Sequence, residues 1–496
     1  MRSEPEAGQL TALRLTLARI FSRALGDRPV DPDSHFFDLG GNSIASMVIS
    51  AQARDLGLPV TARMIFDHPT VRELSAALMA ASPDDGARAT TAVVRLAPDQ
   101  MAFLTDRDGA VDGRLVRLAD WVRPESLPAA LSAVIGRHDA LRPRVGPDRV
   151  AVASDRTAAV AHYDGVRTEE VVATTAGVLD PENGPLLAAA VLADGDGPPL
   201  LMLLAHRLAV DATSWSLLLD DLALACEQSA HGEPIALPAP PTSFSSWAGM
   251  LTEWAAGPEA AAERPHWSAP VAEAAGEANS VRTVAIEVAA MPAEAVCDAL
   301  VAGLLEQSET VDLRCDGRRG LFADRDFSRT VGPFTSWFPV TVDLDPADTA
   351  AERMRAVTKA RAGAPHGGVG YGALRWLVPG LDRPPARLGV ECLDLTGRTS
   401  AFTVVGRPDG LPRRARIGRA DAVDVLALAY PDRLVVEASF DPSQHDEQAI
   451  TRLLRHAVAA APTTTTTTEF PLSGLDQAQL DQLLARLDTA GKGGDQ

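Results

Sequence analysis

The chain has 496 residues, with 46 basic and 66 acidic side chains and a net charge of −20. At about 150 residues per domain, that length allows roughly three compact units. The 46% apolar and 23% charged content excludes a chain that is disordered throughout, and the acidic balance excludes a nucleic-acid binder or a partner membrane of anionic lipid, each of which calls for a basic face.

The first 80 residues read as a small helical unit. Leu10, Leu13, Leu17, Ile20 and Phe21 recur at helical spacing, and Gly26 stands where the helix would stop. A loop with Pro29 and Pro32 follows, then a second helix from Ser43 and a third over Val71 to Met79. Nine acids face eight arginines here, so nearly all the net charge belongs to the rest of the chain. Residues 81–92, ASPDDGARATTA, have the composition of a flexible linker. Beyond them, Leu200 to Ala205 is a continuous apolar run, as expected of a buried strand. Helical patterns cover Trp215–Ala230, Ser245–Ala256 and Ile450–Ala461, and Val425–Tyr430, Pro431-Asp432 and Leu434–Phe440 read as a hairpin. Thr463 to Thr468 reads as a surface connection, and Leu480, Leu483, Leu484 and Leu487 as a last amphipathic helix.

The cysteines Cys226, Cys297, Cys315 and Cys392 are widely spaced, with no CxxC pair, which suits a reducing cytoplasm; no metal site is expected. Met1 is followed by a polar stretch rather than an apolar signal, and no run approaches the roughly 18 apolar residues of a membrane span. A cytoplasmic, soluble protein is the expectation.

The most specific local signal is FFDLGGNSIASM, residues 36–47. Gly40-Gly41 permit a sharp turn. Ser43 then opens a helix, its hydroxyl near the positive end of the helix dipole, where a phosphodiester would be well placed. By residue type alone, Ser43 is equally an ordinary N-cap. With IFDHPTVREL (65–74) behind it, the segment resembles the peptidyl carrier proteins of nonribosomal peptide synthetases over residues 8 to 80. The resemblance implies a small four-helix bundle in which a phosphopantetheinyl transferase attaches 4′-phosphopantetheine to Ser43, whose thiol then holds a peptide as a thioester. Asp38, Leu39, Gly40 and Gly41 match the family motif, and Asn42 departs from its usual Asp or His. Ile44 and Met47 either contact partner domains or pack inward. Ser46, the other nearby hydroxyl, falls one turn inside the helix.

Residues 206–215, HRLAVDATSW, resemble the central HHxxxD motif of condensation and epimerization domains, with the Ser-Trp pair of the epimerization branch. LAPDQMAFL (96–104), RTVGPFTSWFPV (329–340) and PHGGVGYG (365–372) extend the resemblance over residues 95 to about 475. It implies an α/β chloramphenicol-acetyltransferase-like pseudo-dimer, with one lobe over 93–275, the other over 276–475, a C-terminal helix and tail over 476–496, and a tunnel between the lobes for the pantetheine arm.

The departures bear on chemistry. The family's working histidine is replaced by Arg207, whose guanidinium does not exchange a proton near neutral pH. LRCDGRRG (313–320) puts Arg314 where the epimerization glutamate belongs, with Asp316 the nearby carboxylate, and VECLD (390–394) replaces an FNYLG-like segment. His206 and Asp211 persist, the first read as a hydrogen-bonded core residue and the second as a loop-holding ion pair. Arg207 is expected to narrow the tunnel or to pair with Asp211. The motif as a whole reads as vestigial.

A carrier followed by HRxxxD resembles the carrier–X-domain pair of glycopeptide-antibiotic synthetases, although Ala212 stands where that family has a second Asp. The resemblance implies a noncatalytic X domain that recruits cytochrome monooxygenases (P-450 class) to crosslink the carrier-bound peptide, with adenylation and condensation domains upstream and a thioesterase downstream. An active epimerization domain and a condensation domain are the alternatives. The arginines of 407–419 (Arg407, Arg413, Arg414, Arg416, Arg419) read as a docking patch or, more simply, as a solvated loop.

Overall fold

The computed structural model describes residues 4–80 except 26–27, 29, 42–44, 47–48, 50–52, 54–59, 61–63 and 66–67. It also describes residues 93–459 except 95, 106–109, 146–149, 153–159, 194–198, 269–277, 279, 292, 306, 382, 397–398 and 412–419. The expected linker at 81–92, the threonine run and the last amphipathic helix lie outside the described residues.

In the N-terminal unit, α1 (Glu4–Ala24) and α2 (Val71–Ala80) pack together. Leu17, Ile20 and Phe21, one stripe of α1, are buried with Phe36, Ile49, Ile65, Val71 and Leu74. Helical spacing thus supplies the core of a unit too small to waste an apolar face.

The larger unit continues with β1 (Val93–Val94), α3 (Pro98–Thr105), β2 (Val111–Leu118), α4 (Leu127–Arg137), β3 (Pro143–Val145), β4 (Val150–Val152), β5 (Val160–Asp164), α5 (Thr168–Ala176), β6 (Leu187–Ala193), β7 (Leu200–His206) and α6 (Ala212–Ala230). Then come α7 (Phe244–Ala255), α8 (Pro258–Trp267), β8 (Arg282–Ala289), α9 (Ala293–Leu304), β9 (Glu309–Asp316), β10 (Thr335–Val342), α10 (Ala350–Ala362) and α11 (Val369–Trp376). The last elements are β11 (Leu388–Asp394), β12 (Phe402–Gly406), β13 (Val423–Ala429), β14 (Arg433–Phe440) and α12 (Glu447–Ala459).

Two sheets organise this unit. The first runs β12-β2-β7-β6-β5 and the second β10-β9-β11-β13-β14-β8. β7 is the central strand of the first; covered on both faces, it reads as unbroken apolar sequence, with Leu201 to Ala205 all buried. In the second, β13 and β14 form the expected hairpin, Ala429 opposite Leu434 across the Pro431-Asp432 turn. Helix ends follow their capping chemistry: Ser243 accepts from the Ser246 N–H at the head of α7, and Thr349 with Glu352 forms a capping box on α10.

Two features interlock the lobes. β12 comes from the second half of the chain but pairs antiparallel with β2 at the edge of the first sheet, Phe402 opposite Leu118 and Val404 opposite Val116. In the other direction, α7 and α8 bury Trp247, Leu251 and Trp267 in the core of the second sheet. Sequence order and core membership therefore part company on both sides of the residue-275 division.

Candidate functional site

In the N-terminal unit, Phe36 anchors the motif segment. Its ring is fully buried, edge-on to Phe21 at 5.8 Å, and its N–H donates to the Pro69 carbonyl at 2.7 Å. Arg72 of α2 pairs with Asp33 and ties the same loop down. After Phe36 the chain turns: Asp38 is exposed, Leu39 is half-buried with its carbonyl accepting from Arg28 Nη1 at 3.1 Å, and Gly40 has φ +88°. A Cβ on Gly41 would lie 2.4 Å from the Phe36 ring, so the turn hugs the core only because no side chain intervenes. Asn42, Ser43, Ile44 and Met47 lie outside the described residues. Ser46 is helical and 1% exposed, so the second hydroxyl of the segment is turned into the bundle. This frame fits a prosthetic group carried at the start of the helix.

In the larger unit, β7 ends at His206 and delivers the HRLAVD segment to the space between the sheets. His206 is buried, edge-on to Phe103 at 5.2 Å, with its Nδ1 accepting from the Leu208 N–H at 3.2 Å. Burial pushes its imidazole down to about 4, so it is neutral at neutral pH.

Asp211 is the N-cap of α6 and is committed on every side. Oδ1 accepts from the Ser214 N–H (2.8 Å), the Ser214 hydroxyl (2.7 Å) and Arg318 Nη2 (3.1 Å); Oδ2 accepts from Arg318 Nη1 (2.7 Å) and the Phe334 N–H (3.1 Å). The ion pair expected of this aspartate is present, but its partner is Arg318, four residues beyond Arg314, and not Arg207. Arg318 also stacks over Phe334 at 4.1 Å and donates to the Thr330 carbonyl. With Asp211 fully buried and Arg318 at 3%, the pair bridges the end of the first sheet to the segment entering β10.

Arg207 turns instead into the cleft between the sheets, lined also by Trp337 and Glu391 of the second sheet and by Arg407. Arg314 sits beside them on β9. Its Nε is 3.3 Å from Glu391, its Nη1 is 3.6 Å from Asp99, it donates to Thr335, and it lies over the Trp337 ring at 5.4 Å. Burial opposes its charge, yet Glu391 and then Asp99 raise its pKa above the ordinary value. The carboxylates at this point are thus Glu391 and Asp99. Asp316, the expected neighbour, is turned toward Arg318 (3.2 Å) and accepts from Thr213 (3.4 Å).

Three further residues complete the site: Asp112 and Glu391, to which the sequence does not point, and Arg407, read there as part of a docking patch or a solvated loop. Asp112 on β2 accepts from the Trp215 indole (3.0 Å) and from Arg114 Nη1 (3.2 Å), and lies 3.3 Å from Arg407 Nε. Burial works against its charge, but Arg114, then Arg407 and Arg207, hold its carboxyl well below the usual carboxylate range. Arg407 does not belong to a solvated loop; its side chain is 9% exposed, inside the cleft. Arg413, Arg414, Arg416 and Arg419 lie outside the described residues. Glu391 sits in the segment that, by sequence, marks only a lost motif. Its signal is strand alternation: in VECLD, Val390 is fully buried and the next residue faces the other side.

Residues 16–78 match the family model for a phosphopantetheine attachment site, and residues 114–283 match that for a condensation domain. This chain is a carrier domain followed by a condensation-like domain, of the kind found in nonribosomal peptide synthetases. The carrier's prosthetic group is 4′-phosphopantetheine. The chain is 27% identical to one of the linear gramicidin synthase proteins of Brevibacillus parabrevis over 96% of its own length and 7% of that protein. It spans between 7% and 14% of the linear gramicidin and tyrocidine synthase proteins it matches. Among solved structures, the epimerization domain from the third module of tyrocidine synthetase B superposes with a TM-score of 0.63 at 21% identity, over 75% of this chain and 96% of that one. The X-domain in complex with OxyB from teicoplanin biosynthesis superposes with a TM-score of 0.54 at 18% identity, over 76% and 94%. The two-lobed α/β condensation fold expected from the sequence is therefore the fold of the larger domain. Among the described residues, no helix is long and apolar enough to cross a membrane.

Proposed function

We propose that the chain is a segment of a peptide synthetase in which Ser43 bears the phosphopantetheine arm and the condensation-like domain does no chemistry, serving instead to recruit cytochrome monooxygenases (P-450 class) to the carrier-bound peptide. One observation carries the noncatalytic part. Where a proton must be taken and returned, the cleft presents Arg207 and Arg314, guanidiniums that keep their protons, while the adjacent imidazole of His206 is buried and its Nδ1 is occupied by the Leu208 N–H. Recruitment is supported by the likeness in fold to an X-domain that was solved with OxyB bound. A docking surface joined to the carrier raises the local concentration of the crosslinking enzyme without new contacts to the peptide.

An active epimerase is the second reading, favoured by the carboxylate of Glu391 in the same cleft. A carrier loaded with a peptide separates the two: in deuterated buffer the recruitment reading expects no exchange at the Cα of the last residue, and co-migration with a pathway monooxygenase on gel filtration. Exchange at that Cα in the unaltered chain, lost in Glu391→Gln, would establish the epimerase. The double variant Arg207→His, Arg314→Glu tests whether those two replacements alone silence the scaffold.

A further inference from the structure

We infer that the cleft between the two sheets is a binding site for a small free carboxylate, held between the guanidiniums of Arg207 and Arg407. Four arginines converge here, and two of them are hydrogen-bonded or ion-paired to several groups, although the Arg314 Nε, like those of Arg207 and Arg407, has no hydrogen-bond partner. Arg114 bonds Asp112 and the Gly113 carbonyl, and Arg314 is spanned by Glu391, Asp99 and Thr335. The other two are not. Among the described residues, the Arg207 guanidinium makes no hydrogen bond and no ion pair, and its Nε is buried without a partner. Arg407 is nine-tenths buried; its Nε lies 3.3 Å from Asp112 Oδ1 outside hydrogen-bonding geometry, and neither Nε nor Nη2 has a hydrogen-bond partner. Both line the same cavity.

The nearest carboxylates are already shared. Asp112 serves Arg114 and the Trp215 indole through Oδ2 and faces Arg407 with Oδ1, and Glu391 serves Arg314. Burial leaves the Arg207 pKa below its ordinary value even with Asp112 and Glu391 near it, as it does for Arg114, whereas Arg314 is raised; Arg207 differs from Arg114 in making no hydrogen bond or ion pair among the described residues. A planar carboxylate presents two oxygens to guanidinium donors, the pairing that suits arginine. Glu391, Asp424 and Glu437 line the same cavity and would repel a doubly charged anion such as phosphate more than a singly charged carboxylate. The site does not depend on whether the domain is catalytic.

Acetate at constant ionic strength is the probe, titrated calorimetrically into the full chain. The expected result is saturable binding of one acetate per chain, weakened at least about tenfold in Arg207→Gln, the loss of a charge-assisted contact. Among the described residues Arg207 makes no side-chain hydrogen bond but helps to keep the buried Asp112 ionised, so this variant is read only if circular dichroism shows it folded. Arg407→Gln is the second variant, read on the same condition. Absence of saturation, or equal affinity in Arg207→Gln, or equal binding of phosphate, would overturn the site. A comparison of Ser43→Ala with the phosphopantetheinylated chain separates ligand sources: equal acetate affinity supports a free carboxylate, and weakened affinity in the loaded chain would overturn it in favour of the arm's phosphodiester.

Discussion

His206 and Arg207 are neighbours in the chain and opposite in the proton chemistry they allow. Burial holds the His206 imidazole neutral, pushed down to about 4 from 6.5. The unfolded chain therefore binds that proton more readily, so folding stability is full above about pH 6.5 and falls as pH drops toward 4. At about 1.4 kcal/mol per pKa unit, the loss approaches about 3 kcal/mol across that window. Denaturant titrations over this range are expected to show the decline, and His206→Asn to flatten it. Asp211 makes a sharper case. Asp211→Asn leaves the Arg318 guanidinium buried beside a neutral amide, and loss of one member of such a pair costs about 3–5 kcal/mol. A matching drop in the denaturation midpoint of the larger domain checks this. The sequence carried the aspartate and its structural role but not its partner, because Arg207 is its neighbour in the chain, whereas Arg318 stands 107 positions away, just past the end of β9.

At the scale of elements, close packing sets the tolerances. Gly303 on α9 lies against α12, and a Cβ there would come 2.5 Å from the Ala457 Cα, a backbone atom that cannot move aside alone. Gly303→Ala is expected to destabilise the second lobe by about 1–3 kcal/mol through overpacking, measurable as a lowered melting temperature, although alanine is the better helix former. Elements with a strong local signal were legible: the β7 run, the β13–β14 hairpin around Pro431-Asp432, and α6, α7 and α12 from their apolar spacing. Where pairing joins residues hundreds of positions apart, local pattern is silent. Nothing in FTVVG announces that this strand belongs to the first sheet, or that Arg407, just beyond it, is buried next to Asp112. The carrier turn was legible because Gly40 and Gly41 meet a local requirement of their own backbone.

For the whole molecule, the interlocked cores predict how the larger domain comes apart. Phe402 is 2% exposed in the first lobe's core, while its strand is reached from β11 of the second lobe. Phe402→Ala is expected to cost about 3–5 kcal/mol and to lower a single unfolding transition of the larger domain, rather than split it into one melt per lobe. Calorimetry resolves the two outcomes. The charge distribution belongs to this scale too: nine acids against eight arginines in the first 80 residues leave the −20 almost wholly to the larger domain and the residues after it. Any partner that docks there meets an acidic body, so a basic partner is expected to associate faster at low salt than at high salt.

The strand that β12 lends to the first sheet also governs how such domains can be exchanged. A chimaera spliced near residue 275 would take β2 from one parent and β12 from the other, and the seam Phe402–Leu118 and Val404–Val116 would be formed by strangers. With α7 and α8 of the first half buried in the second sheet's core as well, the heritable cassette is the whole domain, and a graft that ignores the β2–β12 seam leaves a sheet edge open to the wrong neighbour.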